Sequence, residues 1–229
     1  MHAPELMAVL SSNPWFAALA PAQRRAMLEQ SELLRLCSGE MLFRQGDPPG
    51  AFYALVQGTL KASSVREDGR EAILAVLEAG TWLGEISLID DQPRTHDATA
   101  IGPVTVLLLP RPAFERLMQD AGFARAIAAM LASRVRLLYG MVEDATLRST
   151  RARVARRLLL LARGDAAMDP AMRARVPVSQ EALAMMLGIT RQTLSRELGK
   201  MVRQGLVQLG YGYIDIVSED GLRQLTHRA

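Results

Sequence analysis

Ser179-Gln180-Glu181-Ala182-Leu183-Ala184-Met185-Met186-Leu187-Gly188-Ile189-Thr190-Arg191-Gln192-Thr193-Leu194-Ser195-Arg196 decides how the chain is organised. Ser179 has the side chain of a helix N-cap, and Leu183, Met186 and Leu187 then recur at helical spacing as one apolar face. Gly188 supplies a permissive backbone for a tight turn, and Thr190 suits the cap of a second helix running from Arg191 to Gln204. Leu194, Leu198, Met201 and Val202 give that helix its buried side, which leaves Arg191, Gln192, Ser195 and Arg196 exposed at its N-terminal end. Arginine, glutamine and serine on the first turns of a helix are the groups that reach base edges in a major groove. With Ser179, Thr190, Thr193 and Lys200 they form the candidate DNA-contacting set. Gly205-Leu206-Val207 closes the helix, and Leu209 to Ile214 reads as a hairpin wing.

The charge distribution agrees with a nucleic-acid partner for this part of the chain alone. Residues 121–229 carry 17 Lys+Arg against 9 Asp+Glu, whereas residues 1–120 carry 10 against 15. A basic second half beside an acidic first half assigns double-stranded DNA to the second half. Immediately upstream, Ala124, Ala128, Leu131, Val135, Leu138, Val142 and Ala145 alternate at spacings of four and three, an unbroken seam over three heptads. Such a seam predicts a long helix that pairs two copies of the chain. A helix packed only on its own domain is the alternative. Arg148-Ser149-Thr150-Arg151 interrupts the pattern, which puts a hinge at Thr146 to Thr150. A further helix from about Ala152 to Arg163 and a loop with Gly164-Asp165 and Asp169-Pro170 follow.

From Glu40 to Pro110 the pattern is different. Short β-like runs (Met41 to Arg44, Phe52 to Val56, Thr59 to Val65, Ala72 to Leu77 and Thr99 to Leu109) alternate with Gly46-Asp47-Pro48-Pro49-Gly50, Gly58, Glu67-Asp68-Gly69 and Gly80. Turn signals at this frequency predict an antiparallel sandwich or barrel rather than a parallel sheet. The segment from Pro21 to Leu36 reads as helix, and Pro112 opens another. The fold expected is therefore α+β: an antiparallel β-roll or jelly-roll barrel over 1–120, a long dimerisation helix over 121–147 and a winged helix-turn-helix domain over 148–229.

Composition narrows the functional classes. The longest apolar runs, Val104 to Leu109 and Leu158 to Ala162, fall far short of a membrane span, and the first ten residues lack the pattern of a secretory signal. A cytoplasmic location without membrane contact is expected. Cys37 is the one cysteine, so a disulfide, a cysteine-ligated zinc and a four-cysteine iron–sulfur cluster within one chain are excluded; it reads as a small hydrophobe beside a strand. His2, His96 and His227 are too scattered to suggest a metal cage or a haem site. No nucleophile, base and orienting residue stand together, and an enzyme on a cupin-like barrel would need more than His96 in its β-segment. Neither catalysis nor a metal is expected. A nucleotide-binding interaction module without DNA binding is a further alternative, against which the second helix argues.

Leu42-Phe43-Arg44-Gln45-Gly46-Asp47, Gly84-Glu85-Ile86-Ser87-Leu88 with Pro93-Arg94-Thr95, the long helix, and Thr190 to Arg196 occur in that order. In this combination, from about Asn13 to Val217, the chain resembles the CRP/FNR family of bacterial transcription regulators. The resemblance implies that Gly84 to Thr95 is a phosphate-binding cassette for a cyclic nucleotide, with cyclic AMP the first choice and another cyclic mono- or dinucleotide the next. Gly84 allows close backbone approach, Glu85 suits a ribose hydroxyl, and Arg94 offers a fork to the phosphate. Ile86, Ser87 and Thr95 complete the cassette, and RNA polymerase is implied as a protein partner.

Two departures from the family pattern are visible. Members that bind a cyclic nucleotide commonly carry a small residue and a threonine where this chain has His96 and Asp97, and Asp97 would repel a phosphate if it faced inward. The hydroxyl pair that reads the purine in members that bind cyclic AMP falls here near Leu138 and Tyr139. Only the tyrosine retains a hydroxyl. Family members that lose the ligand, or use another, remain the alternative.

Overall fold

A computed structural model describes residues 3–69, 71–164 and 172–227. The loop read at Asp165 and Asp169-Pro170 lies outside the described residues. Two compact units are present: one holds the described residues of 1–64 and 74–134, the other those of 65–73, 135–164 and 172–227.

The first unit opens with helices α1 (Ala3–Ser11), α2 (Pro14–Ala17) and α3 (Pro21–Glu29). Strands β1 (Glu32–Leu36), β2 (Met41–Phe43), β3 (Ala51–Val65), β4 (Glu71–Glu78), β5 (Trp82–Leu83) and β6 (Asp97–Pro110) form one six-stranded sheet; its main path runs β1-β6-β3-β4, with β2 on β6 and β5 on β3. Strands β1, β2 and β3 each run antiparallel to β6, and β5 runs antiparallel to β3, so the β-roll expectation holds. The run Ala51 to Val56 is apolar without interruption because both of its faces are covered. Ala51, Tyr53 and Leu55 point into one core with Phe43, Ala98, Val104 and Val106, whereas Phe52, Ala54 and Val56 enter a second core. That second core holds Phe16, Trp82, Phe114, Phe123, Ile127 and Met130. Trp82 lies at its centre, stacked on Phe16 at 5.2 Å and tilted against Phe52 at 5.0 Å.

The helix expected over Pro21 to Leu36 is corrected. It stops at Glu29, and Glu32–Leu36 becomes β1, pairing Leu33 with Leu107 and Leu34 with Val106. Glu-Leu-Leu-Arg-Leu favours a helix locally, but the ladder offered by β6 overrides that preference, because strand propensity is chiefly a matter of context.

Helix α4 (Glu85–Asp90) and helix α5 (Arg111–Leu117) flank β6, and helix α6 (Ala121–Leu147) follows. Its Phe123, Ile127 and Met130 enter the aromatic core, and the Trp15 indole donates to the Ala126 carbonyl at 2.8 Å. The second unit contains α7 (Thr150–Ala162), α8 (Gln180–Leu187), α9 (Arg191–Arg203) and α10 (Glu219–His227). They pack with a three-stranded sheet of β7 (Arg175–Val176), β9 (Tyr213–Ile216) and β8 (Val207–Gly210), in that order. Leu158, Leu183, Leu194, Leu198, Met201 and Leu222 form its core. No helix among the described residues is long and apolar enough to cross a membrane.

Candidate functional site

The cassette is built on a left-handed glycine. Gly84 (φ +99°) caps α4, and a Cβ there would stand 2.8 Å from Arg94 Nη1 and 2.9 Å from the Ala51 carbonyl oxygen. Arg94 is buried at 4% exposure, with Nη1 donating to the Gly84 carbonyl at 2.7 Å and Nη2 to the Ala51 carbonyl at 2.8 Å. Its guanidinium lies over the Phe43 ring at 4.6 Å and the Tyr53 ring at 5.6 Å. Burial lowers the Arg94 pKa from its ordinary value, opposed by Tyr53 and Glu85, and raises that of the Tyr53 phenol.

Glu85 is 1% exposed, and its Oε1 is paired with Arg134 of α6, which also donates to the Trp82 carbonyl. Glu85 Oε2 and Arg94 Nε are buried with no hydrogen-bond partner, as are Thr81 Oγ1 and Trp82 Nε1. Unpartnered buried polar atoms are costly, and Glu85 Oε2 and Arg94 Nε are two such atoms on the cassette itself. Ser87 is buried, while Ile86 and Thr95 are exposed. Asp97 Oδ1 accepts the Gln45 amide at 2.7 Å, which ties that oxygen to the loop between β2 and β3. Among the described residues no group of three or more His, Cys, Asp or Glu is arranged to hold a metal.

Arg134 escaped the sequence reading as a pocket residue. The signal was present, because Phe123, Ile127, Met130 and Arg134 follow one another at spacings of four, three and four. An arginine on the stripe that faces the domain core needs an acidic partner, and Glu85 is it.

The seam residues lie on a different stripe of α6. Val135, Leu138 and Val142 are 47%, 59% and 60% exposed, Ala128 and Ala145 are exposed, and Ala124 and Leu131 are half-buried. Tyr139 is also exposed. The helix thus packs its own domain through Phe123, Ile127 and Met130, with Leu131 of the heptad stripe against the same core, and leaves Val135, Leu138 and Val142 exposed. Past the seam, Asp144 is buried between Arg148 Nε and Arg156 Nε, both at 2.6 Å, across the junction with α7. That junction falls within the segment expected to be a hinge.

In the second unit the two helices are capped as the sequence predicts. Ser179 Oγ accepts the Ala182 amide at 3.1 Å, Thr190 Oγ1 accepts the Thr193 amide at 3.2 Å, and Gly188 (φ +62°) ends α8. The Thr190 hydroxyl also donates to Thr193 Oγ1 at 3.0 Å. Arg153 Nη2 donates to the Leu187 carbonyl at 2.5 Å and so fixes the end of α8 on α7. Arg191, Gln192, Ser195 and Arg196 are exposed together on the first turns of α9. Lys200 is set apart from them, its ammonium 2.7 Å from Glu197 Oε1, with Arg151 Nε 3.2 Å from Glu197 Oε2. Burial raises the Glu197 pKa, but the hydrogen bonds from Lys200 and Arg151 outweigh it and hold the carboxyl below its ordinary value. The wing turns at Tyr211-Gly212, with Tyr211 fully exposed, and is braced by Arg175, which grips Asp215 through two bonds of 2.7 and 3.0 Å and lies 3.9 Å over the Tyr213 ring.

Comparison with known proteins gives both units a family. Residues 33–121 match the cyclic nucleotide-binding domain and residues 152–225 the Crp-like helix-turn-helix domain. The chain belongs to the CRP/FNR family. It is similar to the cyclic AMP receptor protein of Thermus thermophilus, 30% identical over 208 residues that cover 90% of this chain and 94% of that one. It is also similar to the CRP-like cAMP-activated global transcriptional regulator of Mycobacterium tuberculosis, 27% identical over 203 residues, covering 88% and 91%. The structure of FixK2 from Bradyrhizobium japonicum shares the fold, with a TM-score of 0.76 at 24% identity over 87% of this chain and 98% of that one. As a CRP/FNR protein the chain is a DNA-binding transcription regulator with a cyclic-nucleotide-type domain, and not an enzyme.

Proposed function

We propose that the chain is a homodimeric, sequence-specific regulator whose affinity for DNA is set by a cyclic nucleotide, cyclic AMP first, held between Glu85 and Arg94. The effector domain spans 1–120, the pairing helix 121–147 and the DNA-binding domain 148–229. The observation that carries the effector reading is the pair of buried, unpartnered atoms Glu85 Oε2 and Arg94 Nε. A ribose hydroxyl donates to the first and a cyclic phosphate accepts from the second. Gly84, Ile86, Ser87 and Thr95 line the same cassette, and Leu138 and Tyr139 of the helix meet the base. The relatives from Thermus thermophilus and Mycobacterium tuberculosis, both named for cyclic AMP, support the choice of nucleotide.

Signalling then runs through Arg134. An effector that competes for Glu85 loosens or re-aims this arginine, and Arg134 sits on the helix whose seam (Ala124, Ala128, Leu131, Val135, Leu138, Val142, Ala145) pairs the protomers. Occupancy favours one of two arrangements only if the ligand contacts them differently. A second reading, the same DNA-binding regulator with another effector or none, is favoured by one observation. Arg134 already neutralises Glu85, and both terminal nitrogens of Arg94 are bound to carbonyls.

On DNA, two α9 helices read a palindrome with half-sites ~34 Å apart centre to centre. Arg191 reaches the O6 and N7 of a guanine, Gln192 an adenine edge, and Ser195 and Arg196 the next bases along. Ser179, Thr190 and Thr193 approach the backbone, and Lys200 contributes least because Glu197 holds it. This role places the protein in the cytoplasm, with RNA polymerase as a partner. Binding-site selection on wild type and Arg191→Ala tests the DNA reading. The substitution is expected to cost ~1–3 kcal/mol at the selected site and to relax one guanine; an unchanged consensus and affinity overturns it. The pairing helix has its own test. Leu138→Arg puts like charges across the two-fold axis, and sedimentation at micromolar concentration is expected to show mainly monomer.

A further inference from the structure

His96 is one of the residues by which this cassette departs from the family pattern, and the structure sets its ring against Phe43, beside Arg94. Its ring meets the edge of Phe43 at 5.8 Å, the same ring over which the Arg94 guanidinium lies at 4.6 Å. Nδ1 shares a hydrogen bond of 2.8 Å with the Thr95 hydroxyl, and Nε2 has no hydrogen-bond partner among the described residues. Four charged groups face it: Glu85 of α4, Arg134 of α6, Arg94 of the cassette loop and Asp97 of β6. Two are positive and two negative, so burial decides the state of the ring in the empty pocket, and burial favours the neutral form.

We propose that His96 is a further effector-binding residue: it takes up a proton from solvent as an anionic phosphate ester enters, so the pocket holds that anion more tightly as pH falls. This role of His96 rests on the effector reading of Glu85 and Arg94. A cyclic phosphodiester brings one full negative charge into a cavity where the existing charges balance, and that charge stabilises the imidazolium it faces. The Thr95 hydroxyl accepts as readily as it donates, so protonation at Nδ1 preserves that contact. Asp97 already acts on the ring as a negative charge, but in the unliganded protein burial outweighs it, and a bound anion adds to its effect.

Burial holds the His96 pKa below its ordinary value of 6.5, and an anion bound beside the ring would raise it. Between the two values the complex holds more protons than the free protein, so binding strengthens as pH falls through this window and levels off on either side.

The test uses the full chain with cyclic AMP, cyclic GMP and cyclic di-GMP as probes. Calorimetric titration is run from pH 5.5 to 8, and the ring protons of the chain's three histidines are followed by NMR. The expected result is affinity that tightens from pH 8 to pH 5.5, by a factor that approaches about ten for each unit by which binding raises the His96 pKa within that range. The His96 resonance, assigned by its loss in His96→Gln, is expected to titrate about one pH unit or more higher when nucleotide is bound. In His96→Gln the ratio of affinities at the two pH values is expected to fall to about one. Binding that is strong but independent of pH, or a His96→Gln protein that keeps the slope, overturns the role of His96 and leaves the effector reading standing. If no probe binds at any pH, both fall together. The pH dependence of calorimetric binding to wild type needs no variant to fold.

Discussion

Gly84 and Gly188 perform the same backbone task in the two units, and the contrast between them separates a site that needs a ligand from one that is finished. Each holds a left-handed φ, +99° where the chain enters α4 and +62° where it leaves α8. Around Gly84 the space is taken: Arg94 Nη1, the Ala51 carbonyl and the Tyr53 ring all stand within 3.3 Å of where a Cβ would lie. Around Gly188 nothing lies within 4 Å. The first glycine is demanded by close packing against an arginine, beside polar atoms left without partners. The second is demanded only by the turn, and the helices on both sides carry satisfied caps. The cassette is a crowded cradle with buried polar atoms left without partners, whereas the caps of the DNA-reading helix pair are satisfied.

Alanine at the two glycines is the most direct way to break this contrast. Gly84→Ala adds left-handed strain of roughly 1–2 kcal/mol and forces Arg94 off its carbonyls, where hydrogen bonds to a charged group are each worth about 1.5–3 kcal/mol. A loss of about 3 kcal/mol or more in the first unit is expected from these contributions, together with loss of nucleotide-induced stabilisation. Gly188→Ala meets only the strain, about 1 kcal/mol, and is expected to lower the second unit's unfolding midpoint slightly while the pocket still responds to nucleotide. Urea unfolding followed separately for the two units, with and without cyclic AMP, measures both. Equal costs at the two positions would mean that the crowding at Gly84 relaxes freely.

The same contrast explains what was legible in the sequence. The helix-turn-helix could be read closely because its determinants are local: a cap, a periodic apolar face, a turn glycine and a second cap lie within one stretch, Ser179 to Leu194. The heptad of α6 and the frequent turns of the β-domain are local signals too. The pocket could be read only in outline. Gly84, Glu85 and Arg94 were visible as residue types, but the partners that set their chemistry come from distant positions: Ala51 and Tyr53 on β3, Phe43 on β2 and Arg134 on α6. Asp97 binds the Gln45 amide, a partner far off in sequence, and Glu32–Leu36, read as helix, is a strand because β6 is there to pair with it. Long-range contacts decided each of these, and no window along the chain contains them.

The smallest effect concerns Lys200, and it sharpens the contrast inside the DNA-binding unit itself. Arg191 and Lys200 sit on one helix and carry the same charge, yet Arg191 stands at the exposed end while Lys200 is bound to a buried carboxylate. If Lys200 neutralised a DNA phosphate, its removal would flatten the dependence of log K on log salt by about 0.9. Because Glu197 already holds it, Lys200→Gln is expected to change that slope by much less and to leave the base preference intact. Its effect is expected instead in stability, where a partly exposed pair at this spacing is worth about 0.3–0.5 kcal/mol. The pH dependence has a definite sign. Glu197 has its pKa depressed in the folded protein, so its contribution is present above the unfolded value and lost as pH falls through the folded one. With Lys200 gone, Arg151 and the more distant Arg196 (Nε 3.8 Å from Oε1) hold the carboxylate down less strongly, and the loss begins at a higher pH. Acid unfolding of wild type and Lys200→Gln, paired with salt titration of their DNA binding, separates the two roles: a flattened salt slope with unchanged acid stability would move Lys200 from the interior network to the DNA.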